Sequence, residues 1–183
     1  MKRSKITILL AIVLGMTFHS CLDLEPQDQL GGKNMWTSVN DYKQLANTFY
    51  SWTRDFSSVV YDGTHSDKRS DLITYQSYNE FSRGINSIPS SDANYTDNYK
   101  HIRRTNLLLQ NAEAYAKPED IKQYIGEAYF FRAYSYFDLL QLYGDVISTK
   151  KPLDITDPEM KVKRNDRSEV VDLIIDDLNH AVE

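Results

Sequence analysis

The sequence predicts an all-α protein, built of antiparallel helix pairs with one long irregular stretch among them. Three observations predict it. The run Gly126 to Val146, GEAYFFRAYSYFDLLQLYGDV, is apolar on nearly every helical face. Two amphipathic stretches open at capping-box spacings, Ser38 to Asp41 and Asp166 to Glu169. Between them, from Ser57 to Asn94, apolar periodicity collapses into Gly, Ser, Asn, Asp and Pro.

Met1 to Ser20 reads as an export signal. Lys2, Arg3 and Lys5 form a basic start, and Ile6 to Met16 is an apolar segment too short to span a bilayer. Cys21 is the only cysteine, so it has no partner in this chain for a disulfide. Bacterial lipoprotein processing explains it better: Cys21 becomes the acylated first residue and the lipid anchor, with a free or buried thiol as the alternative. Two or more acyl chains anchor stably where one does not. Asp23, Glu25 and Asp28 follow as an acidic linker.

The formal charge of -5 goes to -8 once the three basic residues ahead of Cys21 are removed. Such a surface excludes nucleic acid as a partner, because phosphate recognition needs clustered Lys and Arg. Thirteen tyrosines make the chain rich in rings that serve surfaces as well as cores.

The first helix is predicted over Val39 to Asp55, with Tyr42, Leu45, Ala46, Phe49, Trp52 and Phe56 at helical spacing. Trp36 ahead of it suits a staple, a lid or the core. The irregular stretch that follows is longer than connections usually are, and such loops often carry function. Tyr61, Tyr75, Tyr78 and Phe81 lie in it. Their faces could stack on the C–H surfaces of a sugar, with Asp62, His65, Asp67, Arg69, Asp71 and Asn79 supplying hydrogen bonds to hydroxyls. Alternatively these rings tack the loop to the helices.

A second helix is predicted from Asp92 or Tyr95 to Ala116, with Tyr99, Ile102, Asn106, Leu109 and Glu113 on one stripe. Asn106 in mid-helix needs a partner for its amide, expected at a neighbouring helix end. Lys117-Pro118 makes the turn.

The third helix begins near Glu119 and stops at Gly144, where a positive φ is expected. A helix apolar all round is buried on more than one side, so Phe137 is expected in the core. Gly126 and Ala133, two turns apart, allow a neighbour to approach closely. Glu127 and Asp138 are expected to pair with Arg132 or to cap neighbouring helices. The last helix starts at Asp166 and places Val170, Val171, Ile174, Ile175, Leu178, Ala181 and Val182 on one apolar stripe.

The central string resembles the GEA-x-FLRA-x-x-YFDL-x-x-x-YGDVP signature of the SusD/RagB family of outer-membrane nutrient-binding lipoproteins. Gly126, Glu127, Ala128, Phe130, Arg132, Ala133, Tyr136 to Leu139 and Tyr143 to Val146 match. Phe131 stands for the usual Leu, and Ile147 for the usual Pro. Three shorter strings agree in order: CLDLEPQDQ, Tyr99-x-x-Ile102-x-x-x-Asn106, and EVVDLIIDDLNHA, where Val171 replaces an aromatic residue.

The resemblance implies stacked tetratricopeptide-like helix pairs, with residues 1-20 as signal peptide and 21-183 as the N-terminal part of a nutrient-binding domain. It also implies a glycan or similar nutrient as ligand, a SusC-like TonB-dependent β-barrel transporter as partner, and a lipid-anchored place on the outer membrane at the cell surface. Family members are longer, so the chain is expected to be a fragment or a truncated frame. No catalytic residues, metal or cofactor are expected. His65, His101 and His180 are scattered, and no HExxH, P-loop lysine or cysteine nucleophile is present. Two other readings share these features: a tetratricopeptide-like adaptor, and a surface glycosidase using two of the many acids.

Overall fold

The computed structural model describes residues 35–54, 84–85, 87–154 and 156–183, and the account below concerns the unit Trp36–Glu183. Cys21, Tyr61, Tyr75, Tyr78 and Phe81 lie outside the described residues. Four α-helices are described: α1 (Val39–Phe49), α2 (Ala93–Glu113), α3 (Lys122–Tyr143) and α4 (Arg167–Val182). Short 3₁₀ turns at Tyr50–Trp52, Pro118–Ile121 and Pro158–Lys161 punctuate them. None of the described helices is long and apolar enough to cross a membrane.

Contacts fix the directions. The Tyr42 hydroxyl donates to the Asn111 carbonyl at 3.1 Å and Trp52 stacks on His101, so α1 runs against α2. Asp92, at the start of α2, accepts from the Tyr143 hydroxyl at the end of α3. Gly126, at the start of α3, lies against the Ala181 carbonyl at the end of α4. Successive helices are therefore antiparallel, as the sequence predicts, and α3 has α1, α2 and α4 around it.

Local chemistry explains the ends. At α1 the Asp41 carboxylate accepts from the Ser38 backbone N–H at 2.8 Å and from its hydroxyl at 2.9 Å. The first helix ends earlier than predicted, at Phe49, and tightens into the 3₁₀ turn. Asp92 caps α2 by accepting from the Asn94 N–H at 2.9 Å. At α4 the boundary is as predicted but its chemistry differs. Asp166 makes no side-chain cap, and Glu169 accepts instead from the Asn165 amide at 2.9 Å. Gly144 has φ 72°, and a Cβ there would come within 2.6 Å of the Arg167 guanidinium. The positive φ is what favours glycine, since the Arg167 guanidinium is the end of an exposed side chain that can move aside.

Two core clusters result. One joins Tyr42, Leu45, Ala46 and Phe49 to Leu108, Leu109, Ala112, Ile121, Ala128 and Phe131. The other joins Ile102, Ala133, Tyr136, Leu139 and Val146 to Val170, Leu173 and Ile174. Trp36 packs edge-on against Tyr42 at 5.1 Å, so it belongs to the first core.

Two expectations are corrected. Phe137 is 46% exposed, because the α3 face that carries Phe130 and Phe137 meets no other described helix. On α4 the buried stripe is Val170, Leu173, Ile174 and Asp177, whereas Val171, Ile175, Leu178 and Val182 face outward.

Candidate functional site

Arg132 is the residue around which the described surface is arranged. It sits in mid-α3 at 3% side-chain exposure, opposite Asp177 of α4 at 0%. Its Nη2 donates to Asp177 Oδ1 at 2.6 Å and its Nε to Oδ2 at 2.8 Å. Its Nη1 donates to Asn106 Oδ1 at 2.7 Å, and the guanidinium lies over the Tyr129 ring at 5.3 Å. A planar fork of donors suits this task, which an ammonium could not perform.

The Asn106 amide nitrogen in turn donates to the Thr149 and Lys151 carbonyls at 3.1 and 3.0 Å. Asn106 thus finds its expected partner, in the segment after α3 rather than at a helix end. Tyr136 reinforces the same segment, donating to the Thr149 carbonyl at 2.9 Å and accepting from its N–H at 2.8 Å. Burial pushes the Tyr136 hydroxyl up to about 12, so it stays a donor across the physiological range. The Tyr99 hydroxyl holds Ile147 at 2.9 Å, and the Val146–Asn165 bridge ties the segment to the start of α4.

This pinned segment forms one wall of a groove of about 460 Å³. The other wall is the outer face of α2, with Tyr95, Tyr99 and Arg103 at successive turns. Tyr95 and Tyr99 stand 4.8 Å apart, and Tyr95 meets Tyr143 edge-on at 5.1 Å. Lys151 pairs with Glu159 at the rim, and Arg103 with Asp154. Flat rings beside paired charges can take a sugar face and exchange hydrogen bonds with hydroxyls. Reasoning from sequence assigned Tyr99 to the core stripe and missed the groove. The i, i+4, i+8 spacing of Tyr95, Tyr99 and Arg103 was the available signal.

A second cluster lies where the chain leaves the 3₁₀ turn after α1. Arg54 pairs with Asp138 and lies over the Tyr134 ring at 5.7 Å. Asp138 therefore does pair with an arginine, but with Arg54 rather than Arg132. Trp52 stacks on His101 with centroids 4.0 Å apart. Burial is the main cause that pushes His101 down to about 4, so it stacks as a neutral ring at neutral pH. These contacts fix Arg54, the last described residue before the stretch that carries Tyr61, Tyr75, Tyr78 and Phe81. Those four rings lie outside the described residues, so their surroundings are not part of this picture.

A SusD-like family model, described as starch-binding and associating with the outer membrane, matches residues 22–183. The chain belongs to the SusD-like family. SusD-like protein P38 of Formosa agariphila is 28% identical over 194 residues, covering 98% of this chain and 37% of the relative. SusD-like protein P2 of the same organism is 27% identical over 200 residues, covering 100% of this chain and 38% of the relative. The chain thus spans less than two fifths of the length of either relative. A crystal structure of a SusD-like protein from Bacteroides fragilis superposes with a TM-score of 0.65 at 24% identity, over 85% of this chain and 31% of that one. That likeness shows the shared helical fold. The SusD-like description names binding at the outer membrane and no reaction.

Proposed function

We propose that this chain is part of a cell-surface glycan-binding lipoprotein that passes its ligand to a SusC-like TonB-dependent β-barrel transporter. The observation that carries the reading is the family match, which spans residues 22–183 and begins one residue after Cys21. Cys21 is the lipid anchor in this reading, and Tyr61, Tyr75, Tyr78 and Phe81 are the rings that meet the sugar. The groove between α2 and the 147–153 segment supplies a further surface of the same chemistry. Binding without hydrolysis is the role, since the family is described by what it binds.

The test is calorimetry against a panel of starch-derived and other glycans, on the protein in its native membrane and on Tyr61→Ala, Tyr75→Ala and Tyr78→Ala combined. Each lost ring should weaken affinity several-fold, at about 0.5–1.5 kcal/mol per stacking contact. Equal affinity in parent and triple variant would move the binding rings elsewhere, and release of reducing sugar would favour a glycosidase. Cys21→Ala should release the protein from the outer-membrane fraction, and unchanged partition would sink the anchor assignment.

A further inference from the structure

The groove between α2 and the 147–153 segment has charges along its rim, and every described cation that lines it is matched. Lys100 pairs with Asp97 at 2.8 Å, Arg103 with Asp154 at 2.8 Å, and Lys151 with Glu159 at 2.9 Å. Arg103 is engaged twice, because its Nε also donates to the Leu153 carbonyl at 3.0 Å. The three acids come from separate stretches: α2 itself, the bend after Leu153 and the 3₁₀ turn at Pro158–Lys161. The hydrogen bond from Lys100 is the main cause that holds the Asp97 carboxyl below its ordinary 3.8. The hydrogen bond to Glu159 likewise pushes the Lys151 ammonium up. Inside the rim the lining is apolar, with Tyr95, Tyr99, Ile147, Leu153 and Met160.

Exposed ion pairs contribute little to stability, so the consequence of these three falls on a ligand. Together they cancel, and the groove presents no net charge. A carboxylate or sulfate group entering it must take a cation from an acid that stays beside it and repels it. The chain's formal charge of -5 adds to that repulsion at longer range. A neutral sugar meets neither cost. Its C–H face lies on the rings, and its hydroxyls exchange hydrogen bonds with the donors and lone pairs that the ion pairs leave unused.

We infer that this groove takes uncharged glycan segments and rejects uronic-acid or sulfated ones, with Asp97, Asp154 and Glu159 setting the preference. The inference rests on the glycan-binding function proposed for the chain and narrows the class of ligand at this one surface.

The test uses the full chain and a matched pair of probes, trigalacturonate and its fully methyl-esterified form, with maltotriose as a second neutral probe. Amide chemical shifts of Tyr95, Tyr99 and Leu153 locate the binding. The neutral probes should move these amides, and trigalacturonate should bind there at least about tenfold more weakly than its ester. Asp154→Asn combined with Glu159→Gln frees Arg103 and Lys151 for a ligand carboxylate. That variant should reverse the order of acid and ester, and its affinity for the acid should fall as salt is added. Because both pairs are exposed, its melting temperature should stay within about 2 °C of the parent's. Trigalacturonate binding to the parent as tightly as its ester would overturn the inference, and so would an unchanged preference in the double variant. Heat from the glycan panel, with these amides unmoved by every probe, would place the ligand elsewhere and overturn this inference alone. Neither heat nor shifts would overturn the glycan function with it.

Discussion

On the α1 side of α3, Phe49, Trp52 and Phe131 meet one another ring to ring at 4.6 to 5.9 Å. On the α4 side, smaller apolar residues close over the Arg132–Asp177 pair, with Asn106 and Tyr136 beside it. The first half is held by burial of large surfaces, which is roughly proportional to area and indifferent to direction. The second is held by hydrogen bonds whose geometry admits one arrangement. Aromatic packing lets α1 sit against α3 with some latitude. The polar knot instead sets the register of α4 and the path of residues 147–151, the wall of the groove. The surface suited to a ligand is therefore built on the half with directional support.

The largest effect should come from breaking that knot. Asp177→Ala leaves the Arg132 guanidinium buried without its carboxylate, a change that costs about 3–5 kcal/mol. Urea unfolding measures it. The double variant Arg132→Met, Asp177→Leu should recover most of the loss, because apolar residues of similar volume often replace a buried pair without penalty. If the double variant is as unstable as the single one, the knot contributes more than charge compensation, through Asn106 and the segment it holds.

Phe49→Ala tests the other half. It removes a fully buried ring from the aromatic cluster, at the lower end of the about 3–5 kcal/mol typical of such truncations, since Trp52 and Phe131 can close on the space. The two variants should differ in what they disturb. Asp177→Ala should loosen residues 147–151 in hydrogen exchange, and Phe49→Ala should leave them protected. Loss of protection in both would mean that the halves are not separable.

Phe137→Ala comes next, and it marks a limit of sequence reasoning. The helix around it reads as apolar on all sides, which implied a cost like that of Phe49→Ala. With the ring 46% exposed, the expected loss is about 1 kcal/mol, well below that of a fully buried Phe. Periodicity shows which residues share a face, but it cannot show whether a neighbour covers that face. The same gap explains α4, where the apolar positions divide between a buried stripe and the outward Val171, Ile175 and Leu178.

Helix positions, antiparallel order, the room at Gly126 and the positive φ of Gly144 were legible from periodicity, caps and small residues. The Arg132–Asp177 pair was not. Its two members are 45 positions apart, and the adjacent acids Asp176 and Asp177 look alike until the turn of α4 buries one of them. Of the candidate site, the sequence singles out only residues outside the described set; it places Tyr99 on a stripe of α2, where the ring does pack against the second core while also lining the groove.

The smallest expected effect is a pH dependence that separates the helix caps. The Tyr143 hydroxyl donates to Asp92 Oδ2 at 2.7 Å, and that hydrogen bond is the main cause holding the Asp92 carboxyl below its ordinary 3.8. Asp41, which caps α1, is also held low: burial raises it, but hydrogen bonds from Ser38 and Thr37 outweigh that. A folded-state value below the unfolded one means that the carboxylate stabilises the fold above the unfolded value. That contribution is lost as pH falls through the folded value. Acid should thus weaken both caps below about pH 4. Tyr143→Phe removes the principal cause at Asp92 alone, so the variant should lose less stability between pH 5 and pH 3 than the parent, by under about 1 kcal/mol, the scale of one helix cap. Thr37, Ser38 and Asp41 are untouched by that change, so the α1 cap keeps its share of the acid response, alongside Asp97 and Asp176, which Lys100 and Lys150 hold low. Urea midpoints at the two pH values read the difference directly. An acid response equal in parent and variant would mean that the Tyr143 hydroxyl does not hold the Asp92 carboxylate, and that the start of α2 is tied to the end of α3 by ring packing alone.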